Sequence, residues 1–95
     1  MILTTTNSIE GFKIADYLGI VTGVAIDFNK IALTQSKTKE NYKKTLDDAK
    51  EEAFQQLKDH GSSLGANAIV GIRIDIETSS SVLVSVTGTA VKVLV

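Results

Sequence analysis

The charged side chains of this chain are concentrated in one segment. Residues 37–60 hold twelve of the twenty-one charged residues, six of each sign, whereas the flanking segments are rich in Val, Ile, Thr and Gly. A dense mixture of Lys, Glu and Asp at helical spacing is typical of a solvated helix, and branched apolar residues favour strands. The distribution therefore predicts one amphipathic helix placed between strands, which is an α+β domain.

The predicted helix runs from about Lys39 to Leu64. One stripe of this segment is apolar at helical spacing and consists of Tyr42, Leu46, Ala49, Ala53, Leu57 and Leu64. Thr38 is suited to the N-cap, and Gly65 stands where a left-handed C-cap belongs. Such a helix is about 39 Å long, while a seven-residue strand covers only about 23 Å. We therefore expect the helix to overhang its own sheet.

Three predicted strands flank the helix, at residues 18–28, 68–78 and 82–95. The first strand carries large residues on one face and small ones on the other, namely Leu18, Ile20, Val24, Ile26 and Phe28 against Gly19, Val21, Gly23 and Ala25. The second strand alternates strictly, with Ala68, Val70, Ile72, Ile74 and Ile76 opposite Ile69, Gly71, Arg73, Asp75 and Glu77. The third strand changes parity after Gly88, and a bulge at Gly88–Thr89 would keep Val91, Val93 and Val95 on the core face.

Glycine recurs in all three strands, within the segments VTGVAID, IVGIRID and VTGTAV. One interpretation is that Val, Ile and Gly are simply abundant in this chain. The other is that Gly23, Gly71 and Gly88 mark places where another backbone comes close, since glycine weakens a strand unless its missing side chain is needed. A neighbouring subunit would supply that backbone. These three residues and Gly19 are therefore candidate close-packing or interface positions.

The size and composition of the chain limit the classes of protein to which it can belong. Residues 1–95 form one domain, and a domain of this size buries only roughly 60–65 % of the surface that its unfolded chain exposes. With no Cys, disulfides and thiolate zinc sites are excluded, so association with copies of itself is the remaining way to support a thin core. A formal charge of −1 provides no electrostatic footprint for nucleic acid or an anionic membrane. The N-terminus lacks the pattern of a signal peptide, and we expect a cytoplasmic protein.

Candidate metal ligands are few. A soft heavy metal prefers thiolate, thioether or imidazole donors, and the chain offers one Met, at its start, and one His. His60 is interpreted first as a helix-end residue that the helix dipole favours when protonated, although a ring of subunits could gather several copies of it. Asp75 and Glu77 share a strand face and could hold a hard cation, but two carboxylates are too few for a dedicated site. The first interpretation of this pair is a solvated strand face.

Catalytic motifs are not supported by the order of the predicted elements. The segment GSSLG at residues 61–65 formally fits the nucleophile elbow, yet it follows a helix and precedes a strand, and the elbow requires the opposite order. His60, Ser62 and Ser63 are sequence neighbours and do not form a triad. The glycine-containing segments also lack the spacing and the lysine of phosphate loops. We therefore expect no enzymatic activity and no cofactor.

Three segments, EGFKIADYLGIVTGVAI, AKEEAFQQLKDHGSSLGANAIVGIRIDIET and VLVSVTGTAVKV, together resemble the YbjQ-like family. This bacterial family is uncharacterised and is sometimes labelled heavy-metal-binding. The resemblance implies a small β-α-β-β domain, with one long helix on a mostly antiparallel sheet, that assembles into a homopentameric ring. We expect a non-catalytic ring subunit whose function lies at subunit contacts and whose ligand is unknown. The alternative is a module that binds a metal or a small ligand.

Overall fold

The computed structural model describes residues 1–27, 39–78 and 81–94. Its elements are β1 (Ile2–Leu3), β2 (Lys13–Asp27), α1 (Lys39–Ser63), β3 (Ala68–Thr78) and β4 (Val82–Leu94). Thr38, Phe28 and Val95, which the sequence placed at the helix N-cap and on strand faces, lie outside the described residues, as does the side chain of Tyr42.

The four strands form one mixed sheet in the order β1-β3-β4-β2. β3 and β2 each pair antiparallel with β4, and β1 pairs parallel with the start of β3. The α+β class is confirmed, and the described residues contain the one long helix that the sequence predicts. The predicted order of elements lacked β1, because two residues are too short for a periodic pattern, and it began β2 five residues too late.

α1 packs mainly on β2 and β4. Three residues of the predicted apolar stripe, Ala49, Ala53 and Leu57, are buried there, so the stripe is confirmed at its centre. Leu64 lies beyond the helix end and is 40 % exposed. Gly65 adopts a φ of 83°, and its N–H donates to the carbonyl of Ser62. The predicted left-handed cap after the helix is therefore confirmed.

The prediction that the helix overhangs its sheet is wrong. β2 has 15 residues and α1 has 25. At the usual rise per residue the strand is about 50 Å long and the helix about 38 Å. The prediction compared the helix with a strand of seven residues, although the strands predicted from the sequence already had eleven or more, and β2 also begins five residues earlier than predicted.

A bulge in β3 overturns the strict alternation predicted for residues 68–78. The pairing of β3 with β4 advances from Val70↔Thr89 to Arg73↔Thr87, so one extra residue lies in β3. Gly71, with a φ of 62°, occupies this position. The bulge reverses the parity, and Ile69 therefore shares the helix-side face with the later isoleucines, which are Ile72, Ile74 and Ile76. Ala68 and Val70 lie on the opposite face with Arg73, Asp75 and Glu77.

Register shifts in β2 likewise separate residues that the sequence placed together. One shift falls between Ile14 and Asp16 and another between Tyr17 and Gly19. As a result Leu18 packs against the helix-side core, while Ile20 lies on the other face of the sheet and is 75 % exposed. The face that covers the helix-side core is the small one, formed by Val21, Gly23 and Ala25.

A second apolar cluster covers the sheet face opposite α1. Ala68, Val70, Val91 and Val93 are buried there, beneath the partly buried Ile2, Ile9, Phe12 and Ile14 of the N-terminal segment. The prediction that a bulge at Gly88–Thr89 keeps all the valines of β4 on one core face is therefore wrong. β4 keeps its parity, with Val82, Val84 and Val86 under α1 and the later valines under the N-terminal segment.

The side chain of Asn67 ties the helix-to-strand turn to the end of β4. Its Nδ2 donates to the carbonyl of Val93 at 3.0 Å, and the N–H of Val93 donates to its Oδ1 at 2.8 Å. The amide thus satisfies both backbone groups of a buried residue, as a paired strand would. Asn67 of the segment LGANAIVG therefore has a structural role at the end of β4.

Candidate functional site

Gly23 is a point of close approach between β2 and α1. A Cβ built on Gly23 would overlap the carbonyl oxygen of Ala53 and would lie 3.0 Å from the backbone nitrogen of Leu57. The backbone that approaches this strand is therefore the helix of the same chain. The sequence argument that a neighbouring subunit supplies it is wrong for this position.

For the other three candidate glycines, contacts or backbone conformations within one chain also account for the absence of a side chain. A Cβ on Gly88 would lie 2.7 Å from Cγ2 of Ile69, so this glycine makes room for a core side chain. Gly71 and Gly19 sit at register shifts of β3 and β2 and have positive φ values, of 62° and 136°. Their role in contacts between subunits stays a prediction.

Two side chains of α1 cover the outer edge of β2. The N–H of Thr22 donates to Nδ1 of His60 at 3.2 Å, and the N–H of Val24 donates to Oε1 of Gln56 at 3.1 Å. Four helical residues advance about 6 Å and two strand residues about 6.6 Å, so the two rows stay in register. An edge strand presents unpaired backbone groups to other chains, and these contacts block part of that edge.

The hydrogen bond from Thr22 also determines which ring nitrogen of His60 carries the proton. Because its Nδ1 accepts a hydrogen bond, the neutral ring carries its proton on Nε2 and has no free lone pair. A metal bound at Nδ1 would have to displace the N–H of Thr22. Within residues 1–27, 39–78 and 81–94 no three side chains of His, Cys, Asp or Glu are grouped to hold a metal ion.

Asp75 and Glu77 lie on the face of β3 opposite α1, and both are exposed. Their cross-strand neighbours in β4 are Ser85 and Leu83, which add no carboxylate. Arg73 shares this face and lies opposite Thr87. The structure thus brings the two predicted cation ligands together on one surface but adds no third ligand from the part of the chain that it describes.

Large apolar side chains are exposed along the face of β2 opposite α1. This β2 apolar row consists of Tyr17, Ile20, Val24 and Ile26, whose exposed fractions are 72, 75, 44 and 49 %. Thr22 shares this face and interrupts the row between Ile20 and Val24. Isolated exposed apolar residues are ordinary, whereas clustered ones are typical of interaction surfaces. The sequence contained this signal for Ile20, Val24 and Ile26, which alternate with the small residues that meet α1. Tyr17 shares their face only because of the register shift that follows it.

A shallow hollow lies between α1 and the end of β2. It is lined by Ala25, Ile26, Asp48, Ala49 and Glu52 and has a volume of about 90 Å³. Pockets for cofactors and small ligands are several times larger, at roughly 300–1,000 Å³. This hollow is therefore too small for an organic cofactor.

No helix among the described residues is both long and apolar enough to cross a membrane.

Comparison with known proteins supports the resemblance read from the sequence. A solved structure from Pediococcus pentosaceus, described as a protein of unknown function in the DUF74 family, superposes with a TM-score of 0.72. It is 20 % identical, and the match covers 99 % of this chain and 98 % of that one, which establishes a shared fold. The YbjQ family model, described as "Putative heavy-metal-binding", matches residues 1–94. The chain therefore belongs to the YbjQ family.

Proposed function

We propose that this protein is a non-catalytic subunit of a homo-oligomeric ring in the cytoplasm, and that its function lies where subunits meet. The observation that carries this proposal is the β2 apolar row. Four large apolar side chains lie along one strand on the sheet face that α1 does not cover. The ring size of five comes from the family resemblance alone.

The position of the row favours a closed ring. β2 is the last strand of the sheet, so the row lies on one flank of the subunit. A patch on one flank can pack against a different surface of the next copy, and such head-to-tail contacts close into rings when the rotation permits. Burial of the row between subunits would also add apolar contacts to the domain. A small domain buries a smaller fraction of its surface than a large one does, so such contacts matter more to its stability.

The surroundings of His60 support a subunit without catalytic function. Nδ1 of His60 accepts from a backbone amide, and Oγ of Ser63 donates to the backbone carbonyl of His60 at 2.7 Å. Neither contact activates a hydroxyl, because a nucleophile needs a hydrogen bond to the base itself. The alternative function is a module that binds a metal or a small ligand, which the description of the matching family favours.

Native mass spectrometry of the purified protein tests the ring. We expect an assembly of several 10.1 kDa subunits, and we expect Ile20→Lys to dissociate it because a buried, unpaired ammonium is costly. Leu94→Lys is the matched control, since Leu94 is 54 % exposed but lies outside the row. A folded wild-type monomer at micromolar concentration contradicts the proposal. A bound metal or small molecule that survives in the spectrum favours the alternative.

A further inference from the structure

The outer edge of β3 is covered over only part of its length. β1 and the residues after it follow this edge as far as Ile72, whose N–H donates to the carbonyl of Thr4 at 3.1 Å. Beyond that point no described residue pairs with it. Within the described part of the chain, residues 73–78 therefore form an open strand edge, here called the β3 open edge. The edge of β2, in contrast, is blocked at Thr22 and Val24 by side chains of α1.

The direction of the backbone groups follows from the last covered residue. The N–H of Ile72 points toward the edge, and alternate residues of a strand point the same way. Ile74 and Ile76 therefore present their N–H and C=O groups outward, while Asp75 turns its own toward β4. An added antiparallel strand must place its outward-facing residues opposite Ile74 and Ile76.

We propose that the β3 open edge is the docking site for β3 of a second copy of this chain, paired antiparallel about a two-fold axis at Asp75. In this register Ile74 of each copy lies opposite Ile76 of the other. Both residues turn their backbone groups outward, so they form hydrogen-bonded pairs. The contact is separate from the β2 apolar row and joins subunits by a different surface.

Side chains on both faces of the edge are complementary in this register. Arg73 of each copy lies opposite Glu77 of the other, which gives two pairs of opposite charge on the face away from α1. Within one chain these residues face the uncharged Thr87 and Leu83 of β4. On the helix-side face, Ile74 and Ile76, each 43 % exposed, meet their counterparts and form a four-isoleucine cluster.

Neighbouring registers are less favourable. Moving the axis to Ile76 places Asp75 opposite Glu77, which sets like charges against each other. Moving the axis to Ile74 also sets Arg73 opposite Asp75, but it brings both Ile76 and Thr78 against the edge up to Ile72 that Thr4 already holds. In the register about Asp75 only Thr78, the last residue of the strand, reaches Ile72. The register about Asp75 has one unfavourable pair, between the two copies of Asp75. This pair limits the affinity, so we expect Asp75→Asn to tighten the association several-fold.

Cysteine crosslinking tests the register directly, because the chain contains no Cys. Asp75 would lie opposite itself in a non-hydrogen-bonded pair with Cα atoms about 4.5 Å apart, within the roughly 4.4–6.8 Å range of disulfides. We expect Asp75→Cys to form a covalent dimer with oxidised glutathione at micromolar concentration. Ser85→Cys is the matched control, because Ser85 lies beside Asp75 on β4, leaves Arg73 and Glu77 intact, and its two copies would be three strand spacings, about 14 Å, apart. Equal crosslinking of the two variants would overturn the proposal.

Charge exchange gives a second test. Arg73→Glu and Glu77→Arg each place two like-charge pairs in the contact, and we expect each variant alone to dimerise at least about tenfold more weakly than wild type. An equimolar mixture restores both opposite-charge pairs and should recover the association. The measurement is sedimentation equilibrium in the Ile20→Lys background, which removes the ring contact and leaves the β3 open edge intact. Association of both single variants at wild-type strength, or no recovery on mixing, overturns the proposal.

Discussion

The N–H of Thr22 donates to Nδ1 of His60 at 3.2 Å and so joins the outer edge of β2 to the last turn of α1. Residues 38 positions apart in sequence are held in one contact, and Gln56 repeats it one helical turn earlier. The only histidine of the chain thus has a structural role that needs no metal and no substrate. Single substitutions at the contact can test this role.

Replacement of His60 by Ala should expose the β2 edge. We expect a loss of about 0.5–1.5 kcal/mol in the free energy of unfolding, the usual contribution of one hydrogen bond. Hydrogen exchange of the Thr22 amide should accelerate, while that of Val24, which Gln56 protects, should change less. Gln55→Ala is the control, because Gln55 bonds Asp59 on the solvated side of the same helix. Unchanged exchange at Thr22 would show that the contact is absent in solution.

Gly23→Ala should be strongly destabilising, because the added methyl group meets a backbone carbonyl that cannot rotate away. We expect a loss at or above the upper end of the roughly 1–3 kcal/mol that overpacking costs, measured by urea unfolding. Ala53→Gly should not rescue the variant, since the clash is with the main chain of residue 53. Wild-type stability of Gly23→Ala would mean that α1 lies farther from β2 than the structure places it.

The stability of Gly71 variants should depend on backbone conformation and not on steric overlap. Gly71 has a left-handed φ of 62°, and among the described atoms a Cβ there would meet only Oδ1 of Asn7, at 3.4 Å. Asn tolerates this conformation better than Ala does. We therefore expect Gly71→Asn to retain more stability than Gly71→Ala, by about 1 kcal/mol, in thermal unfolding. Equal losses would indicate that the bulge relocates when Gly71 is replaced.

Asn67 offers a test of the second cluster. Asn67→Ala leaves the N–H and C=O of Val93 without their side-chain partner, which should cost about 1–3 kcal/mol. Asn67→Asp keeps an acceptor for the N–H but sets a carboxylate against the carbonyl, so it should also destabilise. Lys92→Ala, an exposed neighbour on β4, is the control for the urea unfolding measurement. Equal stability of all three variants would contradict the role given to Asn67.

The sequence was most informative where a pattern is local. The buried centre of the helix stripe and the cap at Gly65 depend on residues within a few positions of one another, and both were predicted. The faces of β2 and β3 were assigned wrongly around Gly19 and Gly71, because a period-two pattern cannot register an extra residue in one strand. A glycine in a strand indicates a bulge or a close approach, but the pattern does not say which.

The candidate site was less accessible to sequence reasoning. The small face of β2 was correctly associated with a close backbone, but nothing local distinguishes a helix of the same chain from a neighbouring subunit. The edge contacts of His60 and Gln56 depend on how α1 lies beside β2, which is a tertiary relationship. The overhanging helix and the small strand face no longer argue for oligomerisation, and the proposal now depends on the β2 apolar row.

We expect one subunit to have no tight site for a soft heavy metal, despite the description of its family. A closed tetrahedral site needs four donors, and the chain has no Cys and a single His. That His already uses Nδ1 to accept from Thr22, so a metal at this atom would also have to replace the edge contact. Isothermal titration with zinc and copper(II), on wild type and His60→Ala, measures the outcome. We expect weak binding that is indifferent to His60. Submicromolar binding that the substitution abolishes would show instead that the assembled ring gathers several imidazoles, and protection of the Thr22 amide should then fall when metal is added.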